Sequence, residues 1–226
     1  SAVPIDMDSP MTFDDGQPKK TVPGVGVYTI NSDGSITFTP DKRYVGTPVP
    51  VTVKRVDKNG TEVTASYTLT VTKVTPTGTN ATSTGPQGVP QTGIPTFQGG
   101  NPLVPIDETV DPTFEDGSKE KKIPGQGTYT IAPDGVVTFT PEKQYVGTPE
   151  PVTVKRVDKN GTPVTATYSL EFTKVTPTST NATSTGPQGL PQTGTPTFQG
   201  GDPLVPIDDT VETTFEDGSK KKTITG

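Results

Sequence analysis

The stretch that decides the fold is residues 152–162, Val-Thr-Val-Lys-Arg-Val-Asp-Lys-Asn-Gly-Thr, with the residues that follow it up to Lys174. The same string stands 101 positions earlier, at residues 51–61. Its Asn-Gly pair favours a tight turn because both residues tolerate positive φ, and the β-branched residues before it favour a strand. We therefore predict a β-hairpin that occurs in two copies.

The residues after the turn alternate between apolar and polar side chains. A period of two with one apolar face predicts a half-buried strand of an antiparallel sheet, here over Val63–Val74. Upstream, Val27–Ile30 and Ile36–Thr39 flank the turn-forming Asn31–Gly34, which predicts a second hairpin. No segment shows a helical period, so we predict an all-β protein. The apolar face consists of Val63, Ala65, Tyr67, Leu69 and Val71, and in the second copy of Val164, Ala166, Tyr168, Leu170 and Phe172.

Other segments recur at the same offset. Val3-Pro-Ile-Asp6 returns at residues 104 and 205, and residues 79–88 return unchanged at 180–189. The chain thus holds two periods of 101 residues and the start of a third. We predict tandem antiparallel β-sandwich-like modules of about 101 residues, arranged as beads on a rod.

The junction between modules is best placed at residues 74–93, which are rich in Thr, Pro, Gly and Ser. Exact repetition favours an ordered opening strand or loop over a free linker. We expect a partial module at 1–74, a complete module at 75–175 and the start of a third at 176–226; the alternative frame is 1–101 and 102–202. The tail from residue 176 then carries a leading segment without a body, which suggests strand donation to the first module of another chain.

Composition narrows the function. The chain has no Cys and no His, a net charge of −6 and a pI near 4.7. The absence of Cys excludes disulfides and metal sites built from thiolates. The negative net charge disfavours nucleic acids as partners. No apolar run reaches membrane-spanning length. We expect no enzyme, and no catalytic, cofactor-binding or metal-binding residue.

Several motifs have a simpler structural explanation. Leu190–Gly194 matches the sortase pentapeptide, but no apolar span follows it and the first copy has Val89 in place of Leu190. Asp57–Thr61 and Asp158–Thr162 resemble calcium loops with too few carboxylates, so we expect hairpin turns. The acidic motif at Phe114–Gly117 is also ordinary turn chemistry.

Covalent modification is also not expected. The sequons at Asn59 and Asn80 fit plain Thr-rich loops. A Lys–Asn isopeptide from Lys54 or Lys73 with Asn59 and Glu62 would need Lys54 to point inward, whereas Val51 and Val53 occupy the alternate face of the strand. The aromatic side chains are expected in the core because most of them lie in phase with other apolar residues: Tyr28, Phe38, Tyr67, Phe97 and Phe114.

Five strings resemble the CshA-type fibril repeat of wall-anchored streptococcal adhesins: Phe114–Gly117, Pro124–Ile131, Val137–Lys143, Tyr145–Pro149 and Val154–Thr162. The resemblance implies a stalk of many repeats outside a Gram-positive cell, covalently wall-anchored through the full-length protein. It also implies that a separate N-terminal region recognises most host ligands.

The leading hypothesis is a non-catalytic stalk segment that projects a distal ligand-binding region. Its partners are neighbouring repeats, other copies of the chain through strand complementation, and host or bacterial surface proteins through the full-length adhesin. The alternative is that the repeats themselves bind host matrix or partner-bacterium proteins with multivalent avidity.

Overall fold

The computed structural model describes residues 3–224, and every regular element in that range is a β-strand. The all-β prediction is confirmed. Contacts divide the chain into two compact units. One consists of Ser1–Gly78, Phe97–Val110 and Lys155–Thr165, and the other of Thr79–Thr96, Asp111–Val154 and Ala166–Gly226.

The first unit contains a body of six strands in two antiparallel sheets, of order β1-β5-β6 and β2-β3-β4. Phe13, Tyr28, Val51 and Val53 are buried between them. The ring of Tyr28 is the centre of this core, 4.5 Å from the ring of Phe38. The six strands of this first body are β1 (Thr12–Phe13), β2 (Lys19–Val22), β3 (Gly26–Ile30), β4 (Ile36–Pro40), β5 (Val51–Val56) and β6 (Glu62–Tyr67).

The turn between β5 and β6 shows why the repeated string forms a hairpin. Gly60 has φ +81°, a left-handed conformation that glycine adopts without strain. The Oδ1 atom of Asp57 accepts hydrogen bonds from the backbone N–H groups of Asn59 and Thr61, each at 2.8 Å. The predicted hairpin is therefore confirmed, as is the hairpin of β3 and β4.

Four short strands follow β6 along the chain: β7 (Thr77–Thr79), β8 (Ala81–Pro86), β9 (Gln91–Gly93) and β10 (Thr96–Gln98). β7 and β10 pair with each other in a two-stranded ladder. This ladder brings together the two ends of the segment that contains β8 and β9. We call residues 81–93 the clip.

The second body has two four-stranded sheets, of order β11-β15-β16-β8 and β12-β13-β14-β9. The clip thus supplies an edge strand to both sheets. β9 pairs antiparallel with β14, but β8 pairs parallel with β16, which differs from the purely antiparallel prediction. The parallel pairing arises because β8 reaches the edge from the junction and not through a hairpin. The strands of the second body are β11 (Thr113–Phe114), β12 (Glu120–Ile123), β13 (Gly127–Ile131), β14 (Val137–Pro141), β15 (Val152–Val157) and β16 (Pro163–Thr173).

The second body has the larger buried core. The ring of Tyr129 lies 4.4 Å from that of Phe139, which in turn lies 5.7 Å from that of Phe172. Gly127 lets β13 approach β14, since a Cβ atom there would lie 2.3 Å from the carbonyl oxygen of Thr140. The buried apolar side chains of β11–β16 are Phe114, Ile123, Tyr129, Ile131, Val137, Phe139, Val152, Val154, Val164, Ala166, Tyr168, Leu170 and Phe172.

The strand predicted over Val63–Val74 forms in only one copy. β16 runs to Thr173, whereas β6 ends at Tyr67 and is followed only by an isolated bridge between Gly46 and Val71. The prediction is thus right for the second copy and too long for the first. The part of β16 that has no equivalent in β6 begins after Tyr168, and it is the part that pairs with β8.

The tail repeats the junction. β17 (Thr178–Thr180) and β18 (Thr197–Gln199) form an antiparallel ladder equivalent to that of β7 and β10. Between them, residues 182–194 repeat the clip sequence, and we call them the tail clip. They contain no strand, and nearly all of their side chains are exposed. Among residues 3–224 there is no helix with the length and apolar character needed to cross a bilayer.

Candidate functional site

The feature of this chain most suited to specific recognition is the surface of the second body on which the clip lies. We call this surface, formed by the edges of β14 and β16, the seat of the clip. β8 pairs with β16 over six residues, from Ala81 opposite Tyr168 to Pro86 opposite Thr173. β9 pairs with β14, with Gly93 opposite Val137. The clip therefore closes the sandwich along one side, where the edges of the two sheets would otherwise be open.

A buried polar network fixes the position of the clip. The Ser83 hydroxyl donates to Oε1 of Gln91 at 2.7 Å and lies 2.6 Å from the Tyr168 hydroxyl. Because the single Ser83 proton is used on Gln91, the Tyr168 hydroxyl donates to Ser83. Nε2 of Gln91 donates to the carbonyl oxygen of Glu171 at 2.9 Å. The Tyr168 hydroxyl and the Glu171 carbonyl oxygen find these partners only when the clip is seated.

Burial also affects the ionisation of the tyrosine in this network. The Tyr168 side chain is fully enclosed, and burial raises the pKa of its phenol above the ordinary value near 10. The hydrogen bond with Ser83 offsets part of that rise. The neutral phenol is thus the form that the seat accommodates.

Two glycines make the close approach possible. A Cβ atom on Gly93 would lie 2.2 Å from Cε2 of Tyr168, well inside van der Waals contact. A Cβ atom on Gly85 would lie 2.9 Å from Cδ of Gln91. Gly93 therefore packs directly on the tyrosine ring, and Gly85 makes room for the glutamine beneath it.

Two further side chains tie the clip to β16 and the residues after it. Oδ1 of Asn80 accepts the backbone N–H of Thr167 at 2.8 Å. Oε1 of Gln87 accepts the N–H of Val175 at 3.3 Å, while the Gln87 N–H donates to the carbonyl oxygen of Thr173 at 2.8 Å. The clip is thus held along the β16 edge from Thr167 to Thr173, and at Val175 beyond it.

The first body presents the same edges without a clip in the described residues. β4 and β6 are the last strands of their sheets, where β14 and β16 are followed by β9 and β8. The apolar side chains along these edges are partly exposed in the first body, whereas their counterparts are at most 3% exposed in the second. The counterparts are Ile36 and Val137, Phe38 and Phe139, Tyr67 and Tyr168, Leu69 and Leu170, and Val71 and Phe172.

The tail clip keeps the local conformation of the seated clip. A Cβ atom on Gly186 would lie 3.0 Å from Cδ of Gln192, as one on Gly85 would from Gln91. The two clips differ in sequence only at Val89 and its counterpart Leu190. The tail clip is therefore already bent around its glutamine while its surface is exposed.

The motifs singled out in the sequence lie in turns, edges and the core. Leu190–Gly194 falls in the tail clip, with Leu190 exposed. Asp158 is buried, and its Oδ1 accepts the N–H groups of Asn160 and Thr162, which is the chemistry of a turn. Within residues 3–224 no group of three or more acidic side chains is arranged to hold a metal ion.

The remaining candidates are similarly placed. Lys54 forms an ion pair with Glu62 at 3.3 Å, with both side chains partly exposed. Tyr28 is buried, as is Phe114, while Phe38 is partly exposed. Tyr67 and Phe97 are likewise partly exposed.

Sequence reasoning did not single out Ser83, Gln91 and Gly93, although they build the seat. The available signal was the exact recurrence of residues 79–88 at 180–189. The recurrence indicates an ordered segment, but it does not indicate which side chains of that segment have partners.

Comparison with known proteins identifies the family. The sequence profile described as the surface adhesin CshA repetitive domain matches residues 1–71, 73–172 and 174–226. The chain belongs to the CshA repetitive-domain family. The NMR structure of repeat domain 13 of the fibrillar adhesin CshA from Streptococcus gordonii is similar to part of it. The identity is 88% over 32% of this chain and 92% of that one, with a TM-score of 0.19.

Other solved structures match at low identity. A crystal structure of mouse cadherin-23 EC22–24 is 14% identical, covering 74% of this chain and 53% of its own, with a TM-score of 0.32. Extracellular domains 1–4 of protocadherin gamma B7 are 12% identical, covering 88% of this chain and 52% of their own, with a TM-score of 0.33. No curated protein matches the chain.

Family membership makes this CshA-type chain a repeat region of a surface adhesin, and its place is therefore extracellular. The adhesin repeat family and the all-β fold point to a structural protein and not to an enzyme.

Proposed function

We propose that this chain is a stalk segment of a bacterial surface fibril, which spaces a distal ligand-binding region away from the cell. One observation carries the proposal. The segment between the two bodies, residues 77–98, is folded into a ladder and a clip instead of remaining a free linker. A stalk needs such junctions, because free linkers contract to random coils that transmit little extension.

The clip also supports the module frame 1–74, 75–175 and 176–226. Residues 79–96 belong to the same compact unit as most of the second body. The alternative frame, 1–101 and 102–202, would separate the clip from the sheets that it completes. In the proposed frame the modules that begin at residues 75 and 176 each open with a clip.

The surface chemistry fits a spacer outside the cell. Acidic and basic side chains pair with each other at the surface, for example Arg156 with Glu108 at 3.0 Å and Lys159 with Asp107 at 2.6 Å. The net charge of −6 favours solubility. Covalent attachment to the wall, through the full-length protein, and the absence of catalysis are parts of the same proposal.

Small-angle X-ray scattering on residues 1–226, with in-line mass determination, tests the stalk role. We expect a maximum dimension well above that of a single globule of the same mass, and a folded cross-section. A random-coil profile would contradict the proposal.

Solid-phase binding to immobilised matrix proteins and to partner bacteria tests the rival function. A spacer shows no saturable binding in this assay. Saturable binding of the isolated chain would instead make the repeats ligand-binding modules.

A further inference from the structure

We propose that Arg43 joins consecutive repeats by holding the turn between β15 and β16 of the repeat that follows it. This turn consists of residues 158–162, and we call it the tip. Arg43 and the tip both belong to the first compact unit. The proposal rests on the stalk function, since it names a contact that holds one junction of the stalk.

The contact is a hydrogen bond from a charged side chain to a backbone carbonyl. Nη2 of Arg43 donates to the carbonyl oxygen of Gly161 at 3.0 Å, although the two residues are 118 positions apart. A guanidinium donor makes such a bond stronger than one between neutral groups. The two residues lie in different repeats in either module frame. Arg43 therefore makes a bond that a single repeat cannot make within itself.

The tip holds its own shape. Oδ1 of Asp158 accepts the N–H groups of Asn160 at 2.9 Å and of Thr162 at 2.8 Å. The N–H of Gly161 donates to the carbonyl oxygen of Asp158 at 2.8 Å. Because the turn is preorganised in this way, the bond to Arg43 orders little additional backbone, which lowers its entropic cost.

Other side chains of both repeats lie around this bond. Tyr44 and Val74 of the first body line the same groove as Arg43. Val104 and Asn160 line it from the second repeat. The bond of Arg43 is thus one part of a surface to which both repeats contribute.

The two copies of the repeat differ on the donor side of this contact but not on the acceptor side. Residues 158–162 repeat residues 57–61 without change, whereas Gln144 stands where the first copy has Arg43. A glutamine side chain is shorter than that of arginine and carries no charge. The residue at this position therefore sets how firmly a repeat holds the tip of the next one.

Amide hydrogen exchange, measured by NMR, tests the bond. Arg43→Gln introduces the residue of the second copy and should raise the exchange rates of the Asn160 and Thr162 amides. We expect a rise of about two- to ten-fold, the range for the loss of one exposed hydrogen bond. The amides of the identical turn at residues 57–61 should not change. Lys42→Gln is the matched control, because it removes the same charge from the neighbouring residue.

Two results of this experiment would overturn the proposal. One is an unchanged exchange rate at the tip in Arg43→Gln. The other is an equal rise in Lys42→Gln, since the positive charge of the loop would then matter and not the bond to Gly161.

Spin labels test whether the two repeats are held together at this place. The chain has no cysteine, so Thr64→Cys with Thr165→Cys places one label on an exposed strand position of each repeat. Double electron–electron resonance should give a single narrow distribution of distances. Thr29→Cys with Thr64→Cys, both exposed in the first body, gives the width that the labels alone produce. A distribution much broader than this control would overturn the proposal.

These outcomes can be separated from those of the stalk function. An elongated scattering profile with unchanged exchange at the tip in Arg43→Gln would support the stalk and refute the role of Arg43. Saturable binding of matrix proteins with faster exchange in Arg43→Gln would support the role of Arg43 and refute the function as a spacer.

Discussion

The two bodies share long identical strings, yet the second has two four-stranded sheets and the first has two three-stranded sheets. The clip accounts for the difference, because it supplies the fourth strand of each sheet. Where the clip is seated, the tyrosine and its neighbours are enclosed; where it is not, the equivalent residues remain partly exposed. The polar junction is therefore part of the fold, although its composition resembles that of a linker.

The largest effect should come from blocking the seat of the clip. Gly93→Ala places a Cβ atom against the Tyr168 ring, and we expect the second body to lose about 2–3 kcal/mol in free energy of unfolding. Hydrogen exchange with mass spectrometry measures both bodies in one sample. Peptides of β16 should lose protection, while peptides of the first body should not change.

Thr92→Ala is the control for this substitution, because Thr92 is exposed on the clip. Gly194→Ala makes the same chemical change in the tail and should leave both bodies unaffected at micromolar concentration. If Gly93→Ala left β16 protected, the clip would not be what closes the second body.

A smaller effect is expected from breaking the buried network. Ser83→Ala leaves Oε1 of Gln91 and the Tyr168 hydroxyl without their partner, at a cost of about 1–3 kcal/mol. Ser184→Ala removes the identical side chain from the tail clip and should have no effect at micromolar concentration. Chemical denaturation of both variants makes the comparison, and equal midpoints would refute the structural role of Ser83.

Alkaline pH should act on the second body through Tyr168. Burial raises the pKa of this phenol in the folded state, so its contribution to stability is complete below pH 10. The contribution is lost as the pH rises from 10 through the folded-state pKa. Tyr168→Phe should reduce the loss of β16 protection between pH 9 and pH 11, and Tyr67→Phe should leave it unchanged. If the two variants lost β16 protection equally, the seating of the clip would not depend on the ionisation of Tyr168.

The smallest effect concerns acid. The hydrogen bond from Lys159, with further bonds from Thr109, lowers the pKa of Asp107 from 3.8 to about 2. This contribution is therefore present above pH 4 and is lost as the pH falls toward 2. Exchange of residues 104–107 should rise across that window in the unmodified chain.

Asp107→Asn should abolish this acid dependence at residues 104–107. Asp6 provides the comparison in the first body, where Ser9 contributes most to lowering its pKa. Asp6→Asn should therefore leave residues 104–107 unchanged. If Asp6→Asn changed the acid dependence of residues 104–107 as much as Asp107→Asn does, these carboxylates would act only through the net charge of the chain.

The sequence predicts the hairpins well because their determinants are local. The Asn-Gly turn and the alternation around Tyr168 define a strand pair without reference to the rest of the chain. The repeat offset likewise locates the junction and indicates that it is ordered.

The seat of the clip was harder to predict because its determinants are distant in sequence. Ser83 and Gln91 are ordinary polar residues in a Thr-rich stretch, and only contact with Tyr168 gives them a role. The premature end of β6 at Tyr67 has the same origin, since the side chains of this segment predict a longer strand. Such an edge needs a backbone partner, which comes from another part of the chain.

The parallel pairing of β8 with β16 has a mechanical consequence. Within a repeat, the chain enters this pair at residue 81 and leaves it at residue 173, and these two points lie at opposite ends of the ladder. In the proposed stalk, tension along the chain would therefore pull the two strands past each other in shear. All of their hydrogen bonds share the load, instead of opening one after another from an end. We therefore expect a repeat with a seated clip to unfold at a higher pulling force than the same repeat without its clip.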